Sequence, residues 1–259
     1  MTALLEVSDV VVRFGGLTAL DGLSFALAEG ELVGLIGPNG AGKTTALKAI
    51  TGSVKPERGT VRLAGCDITG LPVHARARLG LALSHQIVRP FRNLSVLDNA
   101  ALAAGLARTA DPWRALTMAA RGAERARARE ILALLGIETY AESEPGGLPL
   151  GVLKRLEVAR ALALNARLLL LDEPLAGLNS IEAAALADLI AALNRDGVSL
   201  LLIEHNLGEV LRICPRLLVL DNGRKIADGP AASVMNDQRV RAAYLGTDGD
   251  REAERTIHA

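Results

Sequence analysis

Two short segments of this sequence combine residue types and spacings that can do chemistry. The first is Gly37-Pro38-Asn39-Gly40-Ala41-Gly42-Lys43-Thr44-Thr45. Its first eight residues fit the pattern G-x-x-x-x-G-K-[ST]. Glycines let the backbone curl until several N–H groups face one phosphate. A helix opening at that point adds the positive end of its dipole. Lys43 then supplies a point charge between the β- and γ-phosphates, and the Thr44 hydroxyl can reach Mg²⁺. The competing reading is a glycine-rich turn with an exposed lysine. The context argues against it, because the loop follows an apolar run and precedes a helical pattern. The ligand implied is ATP.

The second segment is Leu168-Leu169-Leu170-Leu171-Asp172-Glu173. A buried parallel strand ending in two carboxylates places them where ligands collect in α/β sheets. Asp172 can hold Mg²⁺ through its waters. Glu173 is then free to orient and deprotonate an attacking water. Alone, such a pair is often a polar stop to a strand. Beside the glycine loop it becomes the hydrolytic half of a site.

Three further residues carry weaker signals. His205 follows another apolar strand, where it could bond a γ-phosphate oxygen or align the water. It could equally be a histidine that ends a strand. Gln86 follows the run at residues 81–83 and could complete a Mg²⁺ shell. Phe14 ends the first strand, where stacking on adenine and core packing are both open.

These side chains need a scaffold. Residues 5–12 are rich in β-branched types and predict a strand, as do 24–27, 31–36, 59–63 and 81–83. From 43 to 50 the pattern is helical. Residues 95–107 open with a capping-box pattern, Ser95-Val96-Leu97-Asp98, and continue rich in Ala and Leu. Asp111-Pro112 starts a second helix expected to reach Ile137, weakened at Gly122. A third helix holds residues 157–164. The charge run at 121–129 interleaves both signs, which fits a solvated helix face. Strands resume at 167–171, 199–203, 217–220 and 225–227, the last two bracketing a hairpin turn at Asp221-Asn222-Gly223. The predicted division is a core of residues 1–88 and 157–246, a helical insert of 89–156, and a polar tail of 247–259.

Composition limits the alternatives. The chain has 259 residues, half of them apolar, enough for one large domain with an insert. Lys and Arg number 29, as do Asp and Glu, so the basic excess of a nucleic-acid binder is missing. Scarce aromatics argue against a base-stacking surface. Cys66 and Cys214 match no metal spacing and are expected to be buried, reduced thiols. The first residues, with Glu6 and Asp9, do not read as a secretory signal. No apolar run approaches the ~18 residues of a membrane span. The expectation is a cytoplasmic protein that serves a membrane only by docking on a partner.

The order Phe14, glycine loop, Gln86, helical insert, Asp172-Glu173-Pro174, Ala176-Gly177-Leu178-Asn179, His205 resembles the nucleotide-binding subunit of ABC transporters over nearly the whole chain. The resemblance implies a P-loop NTPase (RecA-like) α/β core with an antiparallel N-terminal β-subdomain and an inserted α-helical subdomain. It makes Phe14 the adenine-stacking residue, Gln86 the Q-loop, Asn179 part of the D-loop and His205 the switch histidine. The family's signature, Leu-Ser-Gly-Gly-Gln, caps the γ-phosphate bound by a partner subunit. Here it is replaced by Leu148-Pro149-Leu150-Gly151-Val152. Pro149 offers neither a hydroxyl nor an N–H, and Val152 replaces a polar side chain. Gly151 can still donate its N–H near a helix start.

The Leu-Pro-x-Gly signature, Ala176-Gly177-Leu178-Asn179 and the C-terminal Ala243-Tyr244-Leu245-Gly246 look like the branched-chain amino acid uptake ATPases. Residues 107–125 would be the extra stretch of that system's longer ATPase. The resemblance implies a second ATPase subunit, identical or not, and integral-membrane permeases. A periplasmic or extracytoplasmic substrate-binding protein would act indirectly, and the ATPase would sit on the inner face of the membrane. Close relatives move urea, short amides or aromatic acids. ABC ATPases of translation or DNA repair are a rival, but they carry two cassettes or a long coiled coil. A weakly hydrolytic regulatory subunit is another, motivated by the altered signature.

Overall fold

The computed structural model describes residues 3–84, 90–105 and 122–245. Gln86, Gly246, the tail from 247 and most of the 107–125 stretch lie outside the described residues. Two sheets organise the rest. Strands β1 (Ala3–Phe14), β2 (Leu17–Ala28), β4 (Arg58–Leu63) and β5 (Cys66–Asp67) form an antiparallel sheet in the order β2-β1-β4-β5. Strands β3 (Leu32–Ile36), β6 (Leu81–Ser84), β7 (Leu168–Asp172), β8 (Ser199–Ile203), β9 (Arg216–Asp221) and β10 (Arg224–Pro230) form the second, ordered β10-β9-β3-β8-β7-β6. It is parallel except for the β9–β10 hairpin.

The sequence accounts for this partition. Strands β3 and β8 are buried at every residue and apolar almost throughout, as a parallel strand covered on both faces must be. Strand β4 alternates exposed and buried from Thr60 onward, as fits a sheet with one wet face. Helix α1 (Lys43–Thr51) packs between the two sheets. On the other face of the parallel sheet, α5 (Leu150–Ala163) and α6 (Ser180–Arg195) bury Leu156, Leu186 and Ile190 against Leu169, Leu171 and Leu202.

Helix α2 (Val73–Arg78) contributes Arg76, which is 1% exposed. Its guanidinium donates to the carbonyls of Ala49, Ile50, Leu71 and Thr69 at 2.7 to 2.9 Å. The end of α1 and the loop before α2 are thereby tied together.

The helical insert differs in detail from expectation. Helix α3 (Val96–Ala104) starts where predicted, because Ser95 Oγ accepts the Asp98 N–H at 3.0 Å. It stops at Ala104, short of residue 107, with Gly105 as its cap. Helix α4 (Gly122–Leu134) does not reach Ile137, since Gly136 takes φ 66 and the chain turns into a 3₁₀ segment at Glu138–Tyr140. The third helix, α5, holds residues 157–163 of the expected 157–164 and opens at Leu150, beside Gly151. One cysteine is also corrected. Cys214 is buried, but Cys66 is exposed on β5, the edge strand of the antiparallel sheet.

Remaining helices are α7 (Leu207–Ile213), α8 (Ala231–Met235) and α9 (Gln238–Leu245). No helix among the described residues is long and apolar enough to cross a membrane.

Candidate active site

The glycine loop leaves the C-terminal end of β3, a central strand flanked by β8 and β9. Gly37 has φ 149, and a Cβ there would lie 2.1 Å from the Leu220 carbonyl oxygen. At Gly42, φ is 102 and a Cβ would lie 2.7 Å from the Ala19 oxygen. No side chain fits either place, so these two glycines allow the loop to lie against β9 and β2. The hairpin turn holds it from the side. The Gly223 N–H donates to the Ala41 oxygen at 3.0 Å, and the Asp21 N–H donates to the Gly223 oxygen at 2.9 Å.

Lys43 is only 6% exposed. Its ammonium donates to the Gly37 and Pro38 carbonyls at 2.6 and 2.9 Å. Burial holds its pKa below the ordinary lysine value, and the charges of Glu173 and Asp172 oppose that shift. The carboxylates thus face the lysine from the end of β7. Thr44 and Thr45 follow on the first turn of α1.

Glu173 lies just beyond β7 with φ 49, a left-handed conformation that costs a glutamate of order 1–2 kcal/mol. Three contacts hold it there. Its N–H donates to the Ile203 oxygen at 2.9 Å, and its carbonyl accepts from Lys154 Nζ at 3.1 Å. Its carboxylate Oε1 is 2.7 Å from His205 Nε2. The hydrogen-bond partners come from β8 and α5, far off in sequence.

Phe14, residues 39–45, Glu173, His205 and the turn at Asn222-Gly223 surround one open cavity of about 400 Å³. Phe14 is 50% exposed on its rim, so core packing is not its role. Leu17, Thr18 and Ala19 continue that wall.

The signature segment is arranged less simply. Pro149 is the N-cap of α5, and it and Leu150 are exposed. Leu148 packs half-buried against the core. Val152 is turned into the core and its N–H donates to the Pro149 oxygen at 3.0 Å. Gly151 lies in the first turn, where a Cβ would come 3.2 Å from Glu182 Oε1. Asn179 caps α6 in a reciprocal box with Glu182: its Oδ1 accepts the Glu182 N–H at 2.9 Å.

Several site residues carried no sequence signal strong enough to single them out. Glu204, 4% exposed, accepts the N–H groups of Leu175 and His205 at 2.5 and 3.2 Å. Burial pushes its carboxyl up to about 7, against those two hydrogen bonds. Lys154, 4% exposed, has its pKa pulled down by burial. Tyr244 on α9 is hydrogen-bonded by the Gly37 backbone, while burial pushes its phenol up to about 12. The hints available were that Glu204 closes an apolar strand immediately before His205, and that Tyr244 lies in the Ala243-Tyr244-Leu245-Gly246 stretch.

The chemistry available is phosphate binding at Lys43 and the loop amides, beside a carboxylate–imidazole pair. A parallel sheet with such a loop at the end of its central strand defines a P-loop nucleotide hydrolase. The family described as ABC transporter matches residues 20–176, and the one described as branched-chain amino acid ATP-binding cassette transporter matches residues 224–250. The chain belongs to the ABC transporter ATP-binding family and is an ATPase of that family.

Among its curated relatives is LivG of Salmonella typhimurium, a high-affinity branched-chain amino acid transport ATP-binding protein. The two are 39% identical over 94% of this chain and 98% of that one. BraF of Pseudomonas aeruginosa, described in the same terms, is 38% identical with the same coverage. LptB of Escherichia coli, a lipopolysaccharide export ATP-binding protein, is 36% identical over 95% and 98%. A crystal structure of the ADP conformation of an ATP-binding cassette of an ABC transporter superposes with a TM-score of 0.82. It is 30% identical and covers 95% of this chain and all of that one.

Proposed function

We propose that this chain is the ATP-hydrolysing motor of a branched-chain amino acid importer. The carrying observation is the grouping of Lys43, Glu173 and His205 around one cavity beside the glycine loop. The match of residues 224–250 to the branched-chain family favours that cargo over the lipopolysaccharide export of the LptB relatives. The motor would sit on the inner face of the membrane, against permeases fed by a substrate-binding protein.

Loop amides and Lys43 bind the β- and γ-phosphates of ATP. Adenine stacks on the exposed Phe14. The donors offered to a cation are the Thr44 hydroxyl and the Asp172 carboxylate, too few for an all-protein cage but suited to Mg²⁺ shared with phosphates and water. Such an ion neutralises charge on the phosphates. Gln86 is proposed as a third donor. Glu173 orients and deprotonates the attacking water, and His205 stabilises the transferring phosphoryl group. A second ATPase subunit, docked head to tail, lends its signature to this site and receives this chain's residues 148–152 in return.

One observation favours a second reading, weak hydrolysis at the partner's site. Pro149 caps α5 with no side-chain hydrogen bond, and Val152 is buried in the core. Steady-state ATPase of the reconstituted transporter, with uptake of labelled leucine, isoleucine and valine, tests both readings. Stimulated turnover and uptake, both lost in Glu173→Gln, support the motor. Uptake of urea, short amides or aromatic acids instead would reassign the cargo. Turnover that membrane partners do not raise would favour the regulatory subunit.

A further inference from the structure

We infer that Lys154 is a positioning residue for the hydrolytic carboxylate, through which the helix that opens with this chain's signature also sets the geometry of its own site. The inference rests on the reading of Glu173 as the water-activating group.

Lys154 lies one turn into α5, the helix whose first residues are Leu150 and Gly151. A lysine that is 4% exposed is costly to bury and needs acceptors. Its ammonium donates to the Glu173 carbonyl at 3.1 Å. That carbonyl belongs to a residue held at φ 49, a conformation that persists only where the surroundings over-determine it. The Glu173 N–H is fixed separately, on the Ile203 oxygen. Lys154 and β8 therefore grip the two sides of one strained residue.

Glu204 closes the arrangement. Its buried carboxyl accepts the N–H of Leu175, two residues past Glu173, and that of His205. The loop bearing Glu173 and the loop bearing His205 are stapled together, with the buried Lys154 ammonium on the Glu173 carbonyl. A shift of α5 driven by a nucleotide under its N-terminus would move the Lys154 ammonium. Glu173 would then move relative to His205, now 2.7 Å away.

The test uses the full-length chain with Lys154→Met, Lys154→Arg and Glu173→Gln in parallel. ATP affinity, turnover and hydrogen exchange of the segment 172–178 are measured on each. The expected result for Lys154→Met is about tenfold lower kcat, ATP affinity within about twofold, and faster exchange in that segment. Lys154→Arg, which restores a donor, recovers most of the loss. Turnover of Lys154→Met within about twofold of the parent, or parallel loss of ATP affinity in both Lys154 variants, overturns the inference. If the Met variant does not fold, Lys154→Gln takes its place under the same criteria. Glu173→Gln separates the two ideas. Its retained turnover would remove the premise, whereas its inactivity beside an unaffected Lys154→Met would remove only the link.

Discussion

His205 Nε2 and Glu173 Oε1 lie 2.7 Å apart, on loops that follow two neighbouring parallel strands. The pair lines the cavity next to the glycine loop. The two residues are 32 apart in sequence, so their meeting is a product of the sheet. If Glu173 activates water, Glu173→Gln keeps the side chain's size and removes its basicity. Turnover should fall about 10²-fold or more while ATP binding persists. His205→Ala should also lower turnover with little change in affinity. Comparing kcat with the ATP dissociation constant reads both effects, and undiminished turnover in Glu173→Gln would refute the assignment.

Lys43 makes a different prediction. Its buried ammonium sits on the loop's own carbonyls, 2.6 Å from Gly37 O, with two carboxylates facing it. Charged hydrogen bonds contribute about 1.5–3 kcal/mol each. Lys43→Ala should therefore weaken ATP binding by at least about tenfold. Fluorescence titration with an ATP analogue measures this, and unchanged affinity would place the triphosphate elsewhere.

Arg76 is a matter of stability rather than chemistry. Four backbone carbonyls accept from its buried guanidinium. In Arg76→Ala those acceptors lose their partner in a site closed to water. The expected cost is about 3 kcal/mol or more. For a chain of this size Tm should drop by roughly 6–12 °C. Arg76→Lys, with one donor group in place of a planar fork, should recover only part of it. Calorimetry decides the point.

Glu204 adds a dependence on pH. Its folded pKa is raised to about 7 from an ordinary 4.5, mainly by burial. The charges bearing on it are Glu173 beyond β7, which raises it, and Lys154 on α5, which lowers it. The folded chain thus holds a proton that the unfolded chain releases near pH 4.5. This contribution to stability is fully present below that pH and is lost as pH rises through about 7. Glu204→Gln, which cannot ionise, should therefore gain Tm relative to the parent between pH 5 and pH 8. Thermal melts across that range test it, and a constant difference would overturn the assignment.

Much of this protein is determined locally and can be read in order along the chain. Glycine at 37 and 42, lysine at 43 and an all-apolar strand ending in Asp172-Glu173 need no tertiary information. Each states a backbone shape or a burial class that few residue types can satisfy. The turn at Asn222-Gly223 is of the same kind, since its two positive φ angles suit those residues. Helix ends were less legible. The end of α4 depends on Gly136, which ended the pattern without marking the period.

The tertiary structure decided which distant side chains meet. Parallel pairing of β7 with β8, register Asp172 to Ile203, brings Glu173 beside His205 and stacks Glu204 under Leu175. Lys154 carries no distinguishing signal in the sequence. Only the packing of α5 against the sheet buries it on the Glu173 carbonyl. Phe14 was undecided between core and ligand until the end of β1 proved open to the cavity. Cys66 reads like any buried thiol until its strand turns out to be a sheet edge. The physical reason is common to all four. Backbone conformation is set by neighbours in sequence, whereas burial and contact are set by elements dozens of residues away.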